Sequence, residues 1–231
     1  GNLAPVVSAE IKRKALKSGT IAAHVSTQEG QAVEQAAIVV SQNGVPYMWA
    51  MGNGKNVDFT LPVGDYEVYA TGKQHSDSKT RLITVEENVT QKLSFDALRA
   101  PGEISLNITD AKSQQPIDAK IKIEQGNQPL IEYLGARAFF TDLDNIGNAV
   151  FGLAPGEYEL SVSHGAGFNA KSTLISASVN ANETTTLASA IDVKTYPTKY
   201  GWYAGDLHHH ADVLEGSTNP TNLVRSQLAA G

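Results

Sequence analysis

Short stretches of alternating apolar and polar residues run along most of the chain, and two long segments repeat the same order of stretches. The first copy opens with "GTIAAHVSTQEGQAVEQAAIVV" at 19–40 and the second with "GEISLNITDAKSQQPIDAKIKI" at 102–123. Alternation at a period of two predicts strands with one buried face. We therefore expect Ile21, Ala23 and Val25 to point into a common core.

Both copies continue with the same kind of turn. The sequences "PVGDY" at 62–66 and "APGEY" at 154–158 put Pro and Gly where the chain must turn before a strand resumes. The tyrosine that follows each turn, Tyr66 or Tyr158, is predicted to be a core residue whose hydroxyl reaches the surface. The copies differ in the middle, where "YLGARAFFTDLDN" at 133–145 predicts a longer loop in the second copy.

Short strands separated by turn residues favour antiparallel sandwiches over helical or parallel-sheet folds. The predicted fold is mostly β, with two tandem antiparallel β-sandwiches followed by a strand and a helix that begin a truncated β/α barrel. The predicted parts are a lead-in, a first sandwich, a second sandwich and a C-terminal segment, at 1–17, 18–97, 98–194 and 195–231. Within the lead-in, Ser8 is a candidate cap for a short helix, and an irregular lead-in is the alternative.

Composition narrows the class of protein. With 41% hydrophobic and 18% charged residues, the chain is typical of a globular protein. A net charge of -6, with no basic block apart from "KRKALK" at 12–17, argues against a nucleic-acid partner. No apolar run is long enough to span a membrane, and the lack of cysteine excludes disulfides and thiolate metal sites. A content rich in Asn, Thr, Ser and Gln suits an exported bacterial protein, periplasmic or extracellular.

Three consecutive histidines in "DLHHHAD" at 206–212 are the strongest candidates for chemistry. If this segment is a strand, its side chains alternate between two faces. One face carries Asp206, His208, His210 and Asp212, and the other carries Leu207, His209 and Ala211. Two neutral imidazoles two residues apart can reach one metal ion, and a carboxylate one step earlier can orient a ligating ring. The scattered His24, His75 and His164 are expected to be solvated or satisfied core residues.

A helix is predicted after the histidines, because Asn219 can cap it, Pro220 fits its first position and Gly231 can end it. Its apolar face would carry Leu223, Val224 and Leu228. A strand, a ligand-bearing loop and a helix form the opening unit of a β/α barrel, whose sites lie at the carboxyl ends of the strands. Without a barrel this unit cannot bury its apolar side, so we expect it to pack on the second sandwich, to self-associate with a neighbouring chain or to be mobile.

Two family resemblances rest on these motifs. Both copies resemble the carboxypeptidase regulatory-like (transthyretin-like) family through the pattern G-x-I-x-x-x-V…L-P-x-G-x-Y-x-V, over most of 18–193. The C-terminal segment resembles the start of the PHP (polymerase and histidinol phosphatase) metallohydrolase family, whose first motif reads D-L-H-x-H followed by an acidic-Gly pair. A transthyretin-like domain followed by "GWYAGDLHHH" is similar to the CehA/McbA-type branch of that family.

The second resemblance implies a site for two or three divalent ions, Zn, Mn or Fe, in the full-length protein. It implies that His208 and His210 bind metal and that the acidic position falls on Glu215, where the family more often has Asp. Asp212 is the substitute for that contact, Asp206 would orient a ligating ring, and His209 would pack or hydrogen-bond. The implied reaction is hydrolysis of a small-molecule phosphoester, or of a carbamate or other ester.

The family's remaining ligands come from later barrel strands, and their motifs are not among these 231 residues. The chain is therefore expected to be the amino-terminal part of a longer hydrolase, with weak or absent metal binding and no hydrolysis on its own. The alternative is a tandem sandwich that binds a glycan or a cell-envelope partner, with the histidines incidental. The aromatic candidates for stacking on sugar rings are Tyr47, Trp49, Tyr133, Phe139 and Phe140. A purely structural spacer is the third hypothesis.

Overall fold

A computed structural model describes residues 2–52, 54–128, 136–165, 170–203, 205 and 219–230. The chain divides into two compact units, Gly1–Pro101 and Gly102–Gly231. In its described residues each unit forms a seven-stranded β-sandwich, which confirms the predicted mostly-β class. In the part of the chain that the structure describes, neither α-helix is long and apolar enough to cross a membrane.

The first unit consists of one helix and seven strands. These are α1 (Ala4–Lys14), β1 (Ser18–Thr27), β2 (Ala37–Gln42), β3 (Val45–Met51), β4 (Asn56–Pro62), β5 (Gly64–Thr71), β6 (Arg81–Val85) and β7 (Thr90–Leu98). One sheet has the strand order β4-β1-β7 and the other β3-β2-β5-β6. Ile21, Ala23 and Val25 are all buried in the core that the two sheets share, as the alternation predicted.

The second unit repeats this arrangement strand by strand. It contains β8 (Gly102–Asp110), β9 (Lys120–Gln125), β10 (Ala138–Phe140), β11 (Asn148–Leu153), β12 (Gly156–Ser163), β13 (Thr173–Val179) and β14 (Thr184–Ile191). Its sheets have the orders β11-β8-β14 and β10-β9-β12-β13, so β8 to β14 correspond to β1 to β7. A 3-10 turn (Pro197–Tyr200) and helix α2 (Pro220–Ala230) follow.

The sandwiches are not purely antiparallel, and this corrects one detail of the prediction. β7 runs parallel to β1, and β14 runs parallel to β8. In each unit the chain crosses from one sheet to the other between the last two strands. The last strand therefore returns beside the first in the same direction, and its apolar-polar alternation is the same as that of an antiparallel strand.

The predicted long loop at 133–145 is also partly wrong. Ala138–Phe140 forms β10, which pairs antiparallel with β9 and occupies the place that β3 has in the first unit. Three residues are too few to show an alternation of apolar and polar side chains, so this edge strand leaves almost no periodic pattern in the sequence. Residues 129–135 lie outside the described residues.

The two repeated tyrosines are core residues, as predicted, and their hydroxyls bond to backbone carbonyl oxygens. Tyr66 is 3% exposed and Tyr158 is 4% exposed. The Tyr66 hydroxyl donates to the carbonyl oxygen of Pro62 at 3.1 Å, and the Tyr158 hydroxyl donates to that of Ala154 at 2.7 Å. Each hydroxyl thus closes a turn four residues upstream, a device known from other β-sandwiches. Burial raises the pKa of both phenols to about 12.

The lead-in is helical, but its helix begins earlier than a Ser8 cap would require. Helix α1 starts at Ala4, and the Asn2 side-chain oxygen accepts a hydrogen bond from the Ala4 amide at 3.1 Å. Pro5 lies in the first turn, where the missing N–H of proline costs nothing. The basic residues Lys12, Arg13 and Lys14 fall in the last turn, and Ala15 ends the helix with a φ of 49°.

Candidate functional site at the exit of the second sandwich

The residues of the predicted metal site lie outside the described residues; they are Asp206, His208, His209, His210, Asp212 and Glu215. The structure does describe both flanks of this segment, at 192–203 and 219–230. Among the described residues, no group of three or more His, Asp or Glu side chains could hold a metal ion.

The amino-terminal flank is fastened to the end of β8 by a buried carboxylate. Asp110 is 4% exposed, and its carboxylate accepts hydrogen bonds from the Lys112 amide at 3.1 Å and the Ser113 hydroxyl at 2.9 Å. A third hydrogen bond comes from the Tyr196 hydroxyl at 2.9 Å. Because Tyr196 lies five residues beyond β14, this bond ties the chain that leaves the sandwich to the turn after β8.

Further contacts hold the same flank. The Lys112 ammonium donates to the Val193 carbonyl oxygen at 3.1 Å and lies 3.3 Å from the Asp192 carboxylate. The Lys199 ammonium lies 4.5 Å from the centroid of the Tyr196 ring, within the range of a cation-π contact. We refer to this set of contacts, centred on Asp110 and Tyr196, as the exit latch.

The hydrogen bonds of the exit latch set its electrostatics. The Lys112 amide, followed by the Ser113 and Tyr196 hydroxyls, holds the pKa of Asp110 below its ordinary value of 3.8. Burial, together with the neighbouring Asp110 carboxylate, raises the pKa of Tyr196 to about 12. The latch therefore contains an ionised carboxylate and a neutral phenol at physiological pH, which is the pairing that a donated hydrogen bond requires.

Acid is expected to open the exit latch. The folded pKa of Asp110 is lower than its unfolded value, so its ionisation stabilises the latch above that unfolded value and stops doing so as the pH falls through the folded pKa. We expect amide exchange at 193–201 to accelerate below about pH 4, after correction for intrinsic rates. In Asp110→Asn this acid-dependent part should vanish. An unchanged acid response in that variant would contradict the assignment.

The carboxyl-terminal flank is helix α2, which docks on the same sandwich through Arg225. The Arg225 guanidinium donates to the Thr141 carbonyl oxygen at 2.6 Å and to the Phe140 carbonyl oxygen, and it pairs with Asp142 at 3.0 Å. The Gly165 amide donates to the Ala229 carbonyl oxygen at 2.7 Å, and Ala229 is buried. Helix α2 therefore packs on the second sandwich, one of the three alternatives predicted for the strand–helix unit, and the predicted strand lies outside the described residues.

Sequence reasoning placed the start of α2 correctly but misjudged its buried face. The helix begins at Pro220, and the Asn219 side-chain oxygen accepts from the Asn222 amide at 2.8 Å, which confirms the cap. Val224 and Leu228 are 47% and 44% exposed, however, and Leu223 is half-buried. Arg225 and Ala229 make the contact instead, and Arg225 bonds to backbone carbonyl oxygens at the sandwich edge.

Three strongly exposed aromatic side chains lie in the amino-terminal flank. Tyr200 is 76% exposed, Trp202 is 74% exposed and Tyr203 is 80% exposed. The aromatic candidates chosen from the sequence behave differently: Trp49 and Phe140 are half-buried, Phe139 stacks on Phe151 at 4.0 Å and Tyr47 is 40% exposed. Tyr133 lies outside the described residues. The exposed trio could have been found from "YGWY", which has no apolar-polar alternation to predict a buried face.

The scattered histidines have ordinary roles. His24 is exposed on β1, and His75 is buried with its Nδ1 atom 2.7 Å from the Lys73 carbonyl oxygen. His164 is half-buried, and its Nδ1 atom lies 2.5 Å from the Asp118 carbonyl oxygen. These arrangements match the expectation of solvated or satisfied residues.

The fold and the two fastened flanks define the chain as a tandem β-sandwich protein with a C-terminal helix docked on its second sandwich. No family model matches the chain, and no curated protein matches its sequence. Solved structures with a similar fold include the minor pilin GBS52 of Streptococcus agalactiae (12% identity, 84% of this chain, 100% of that chain, TM-score 0.46). Others are a streptococcal ancillary pilin (13% identity, 78% of this chain, 63% of that chain, TM-score 0.43) and the Bacillus anthracis TIE protein (17%, 77%, 34%, 0.34). The chain thus spans about a third of the TIE protein, and at these identities the likeness concerns the fold alone.

Proposed function

We propose that the chain is the amino-terminal part of an exported, metal-dependent hydrolase of the PHP type, in which the sandwiches position the first metal motif. One observation carries the proposal: both described flanks of the histidine segment are fastened to the second sandwich. Tyr196 bonds to Asp110 on one side, and Arg225 bonds to the β10 edge on the other. A metal motif whose two flanks are bonded to the same compact unit would be suited to precise metal chemistry.

The donor set fits the metals that the resemblance implies. Imidazoles at His208 and His210, with a carboxylate at Glu215 or Asp212, are nitrogen and oxygen ligands suited to Zn, Mn or Fe. When bound, such a metal lowers the pKa of a water molecule towards ~7 and polarises the P=O or C=O bond of a substrate. Asp206 would accept the N–H of a ligating imidazole and so fix the tautomer of that ring. His209, on the opposite face, would pack or hydrogen-bond.

The proposal assigns catalysis to the longer protein rather than to these 231 residues. Two imidazoles and one carboxylate leave most coordination positions of a metal cluster to water. The further ligands would come from barrel strands that follow this sequence. The substrate of the longer protein would be a small-molecule phosphoester, or a carbamate or other ester.

Metal titration of the 231-residue chain tests the ligand assignment. We expect weak binding of Zn²⁺ or Mn²⁺ by calorimetry, and at least a roughly tenfold loss of affinity in the double variant His208→Ala/His210→Ala. His209→Ala and His24→Ala are the matched controls and should bind as the parent chain does. Equal metal affinity in the double variant and the parent chain would overturn the ligand assignment. Hydrolysis of a model phosphodiester by the parent chain would overturn the assignment of catalysis to the longer protein.

The intact mass of the native protein, with its gene read through to the stop codon, tests the proposal at the level of the whole protein. A product longer by on the order of 200 residues, with further His, Asp and Glu motifs, would support the hydrolase, because a β/α barrel needs that length. A product without such motifs would overturn the hydrolase proposal, and the tandem binding module would then be the favoured function.

A tandem binding module is the second candidate, and the exposed aromatic trio favours it. Tyr200, Trp202 and Tyr203 expose flat rings of the kind that stack on sugars. Binding of this kind requires no metal, so it should persist when His208 and His210 are both replaced by alanine. The hydrolase proposal, by contrast, requires these two histidines.

A further inference from the structure

The two sandwiches share one register, so each position in the first has a counterpart in the second. Ile21 pairs with Phe59 in the first unit, and Ile104 pairs with Phe151 in the second. The same correspondence joins the closing tyrosines of the two units, Tyr66 and Tyr158. Residues that the fold itself requires should recur in both copies. A cluster of charged side chains found in only one copy needs another explanation.

Such a cluster lines a cleft of about 500 Å³ beside β6 and β7 of the first unit. Three basic side chains contribute to it: Lys79 from the loop before β6, Arg81 from the start of β6 and Arg99 after the end of β7. We call it the basic cleft. Two carboxylates, Asp77 and Asp96, also line it, so cations are in the majority.

The walls of the basic cleft are held by reciprocal hydrogen bonds. The Ser76 amide donates to the Arg99 carbonyl oxygen at 3.1 Å, and the Arg99 amide donates to the Ser76 hydroxyl at 2.8 Å. On the other side of the loop, Ser78 and Ala70 exchange hydrogen bonds of 2.9 Å in both directions. The loop that carries Lys79 is therefore fixed to the strands at two points, which makes the cleft largely pre-formed.

The guanidinium of Arg81 has a defined place in this cleft. It lies 4.6 Å from the centroid of the buried Phe95 ring, which supports it from one side by a cation-π contact. Burial raises the pKa of the neighbouring Asp77, against the opposing effect of a hydrogen bond with Thr71. The supported guanidinium favours an anion over a cation as the guest.

The second sandwich lacks this set of residues. Arg81 pairs with Val68, and the equivalent pair in the second unit joins Ile175 to Leu160. Phe95 pairs with Val25, and its counterpart Ser189 pairs with Ile108. Asp192, one residue after β14, is the counterpart of Arg99, one residue after β7. The sandwich therefore forms equally well without the arginines, so the architecture does not require their charge.

We infer that the basic cleft binds a small organic oxyanion, a ligand with a carboxylate or phosphate group, through Arg81 and Lys79. Arginine forks match both kinds of oxyanion in geometry and charge. The volume of the cleft lies within the range of about 300 to 1,000 Å³ that is typical of pockets for small organic molecules. The inference does not depend on the proposed hydrolase.

Titration of the full 231-residue chain with three probes tests the inference. Glucuronate carries a carboxylate, glycerol phosphate carries a phosphate and glucose is the neutral control. We expect at least one anionic probe to bind about tenfold more tightly than glucose, and to bind less tightly as salt is added. The preferred anion identifies the ligand group. Equal binding of all three probes, or no binding of either anion, would overturn the inference.

Variants that remove a positive or a negative charge from the cleft test the same site more specifically. Arg81→Gln and Lys79→Gln should each weaken binding of the preferred anion, by up to about tenfold, because each removes a charge-assisted contact. Asp96→Asn should strengthen it, because it removes a carboxylate from the rim. Lys92→Gln, which removes an exposed charge from β7 outside the cleft, is the matched control. If Lys92→Gln weakened anion binding as much as Arg81→Gln does, the effect would come from the net charge of the protein. That result would overturn the assignment of the basic cleft as the binding site.

Discussion

Replacing Gly102 with alanine is expected to destabilise the second sandwich by about 3 kcal/mol while the first sandwich keeps its stability. A Cβ atom at this position would lie 2.1 Å from the Asn180 carbonyl oxygen and 2.6 Å from a methyl carbon of Val179. The nearest obstacle is backbone, which cannot rotate away as a side chain can. The turn between β13 and β14 would have to move, and with it the pairing of β14 with β8.

The same close approach explains why both copies begin with a G-x-I motif. In the first unit, a Cβ atom on Gly19 would lie 2.4 Å from the Glu86 carbonyl oxygen and 2.9 Å from Val85. Gly19 and Gly102 pair with Leu61 and Leu153, at equivalent positions. The glycine is therefore needed for space rather than for an unusual backbone conformation, and its loss should act only on its own sandwich.

Amide exchange under increasing urea can measure the two units separately, by comparing β1 with β8. In Gly102→Ala the exchange of β8 should shift to lower urea, and that of β1 should not. Gly156→Ala is the matched control, because the nearest atom to its Cβ would be Tyr158 Cε2 at an ordinary 3.8 Å. If the Gly102→Ala chain were as stable as this control, the β13–β14 turn could move to accommodate the Cβ atom without a loss of stability.

The strand pattern was readable from the sequence because half-buried strands leave a period-two trace. Ile21, Ala23 and Val25 share a buried face for this reason. Strand direction leaves no such trace, so the parallel pairing of β7 with β1 could not be read. The third strand of the second copy, β10, was too short to form a pattern. The pairing partner of a strand and its direction depend on the neighbouring strands, so they cannot be predicted from the sequence of one strand alone.

The candidate site shows the same division between local and tertiary information. The cap at Asn219 and the start at Pro220 are local features, and they were predicted. The docking contact of α2 was not, because Arg225 bonds mainly to backbone carbonyls, which exist at every residue and leave no mark on the sequence. The exit latch was missed for a related reason: Asp110 and Tyr196 are far apart in the chain and meet only in the fold.

Replacing Arg225 with glutamine is expected to release helix α2 from the second sandwich. The Arg225 side chain is only 18% exposed, and its guanidinium bonds to two backbone carbonyl groups at once. Hydrogen bonds from a charged donor contribute about 1.5–3 kcal/mol each, so the docked state should lose about 3 kcal/mol, or roughly 100-fold in its equilibrium constant. The Gly165 amide reports this directly, because it donates to the Ala229 carbonyl oxygen only while the helix is docked.

Two further variants separate the parts of this contact. Asp142→Asn removes the ion pair but leaves both carbonyls in place, and it should cost at most about 1 kcal/mol because the Asp142 side chain is 45% exposed. Val224→Ala, on the exposed face of the helix, should leave the exchange of the Gly165 amide unchanged. If Arg225→Gln left this exchange unchanged as well, the apolar contacts of α2 would suffice for docking. The flank of the histidine segment would then be held by hydrophobic packing rather than by the guanidinium.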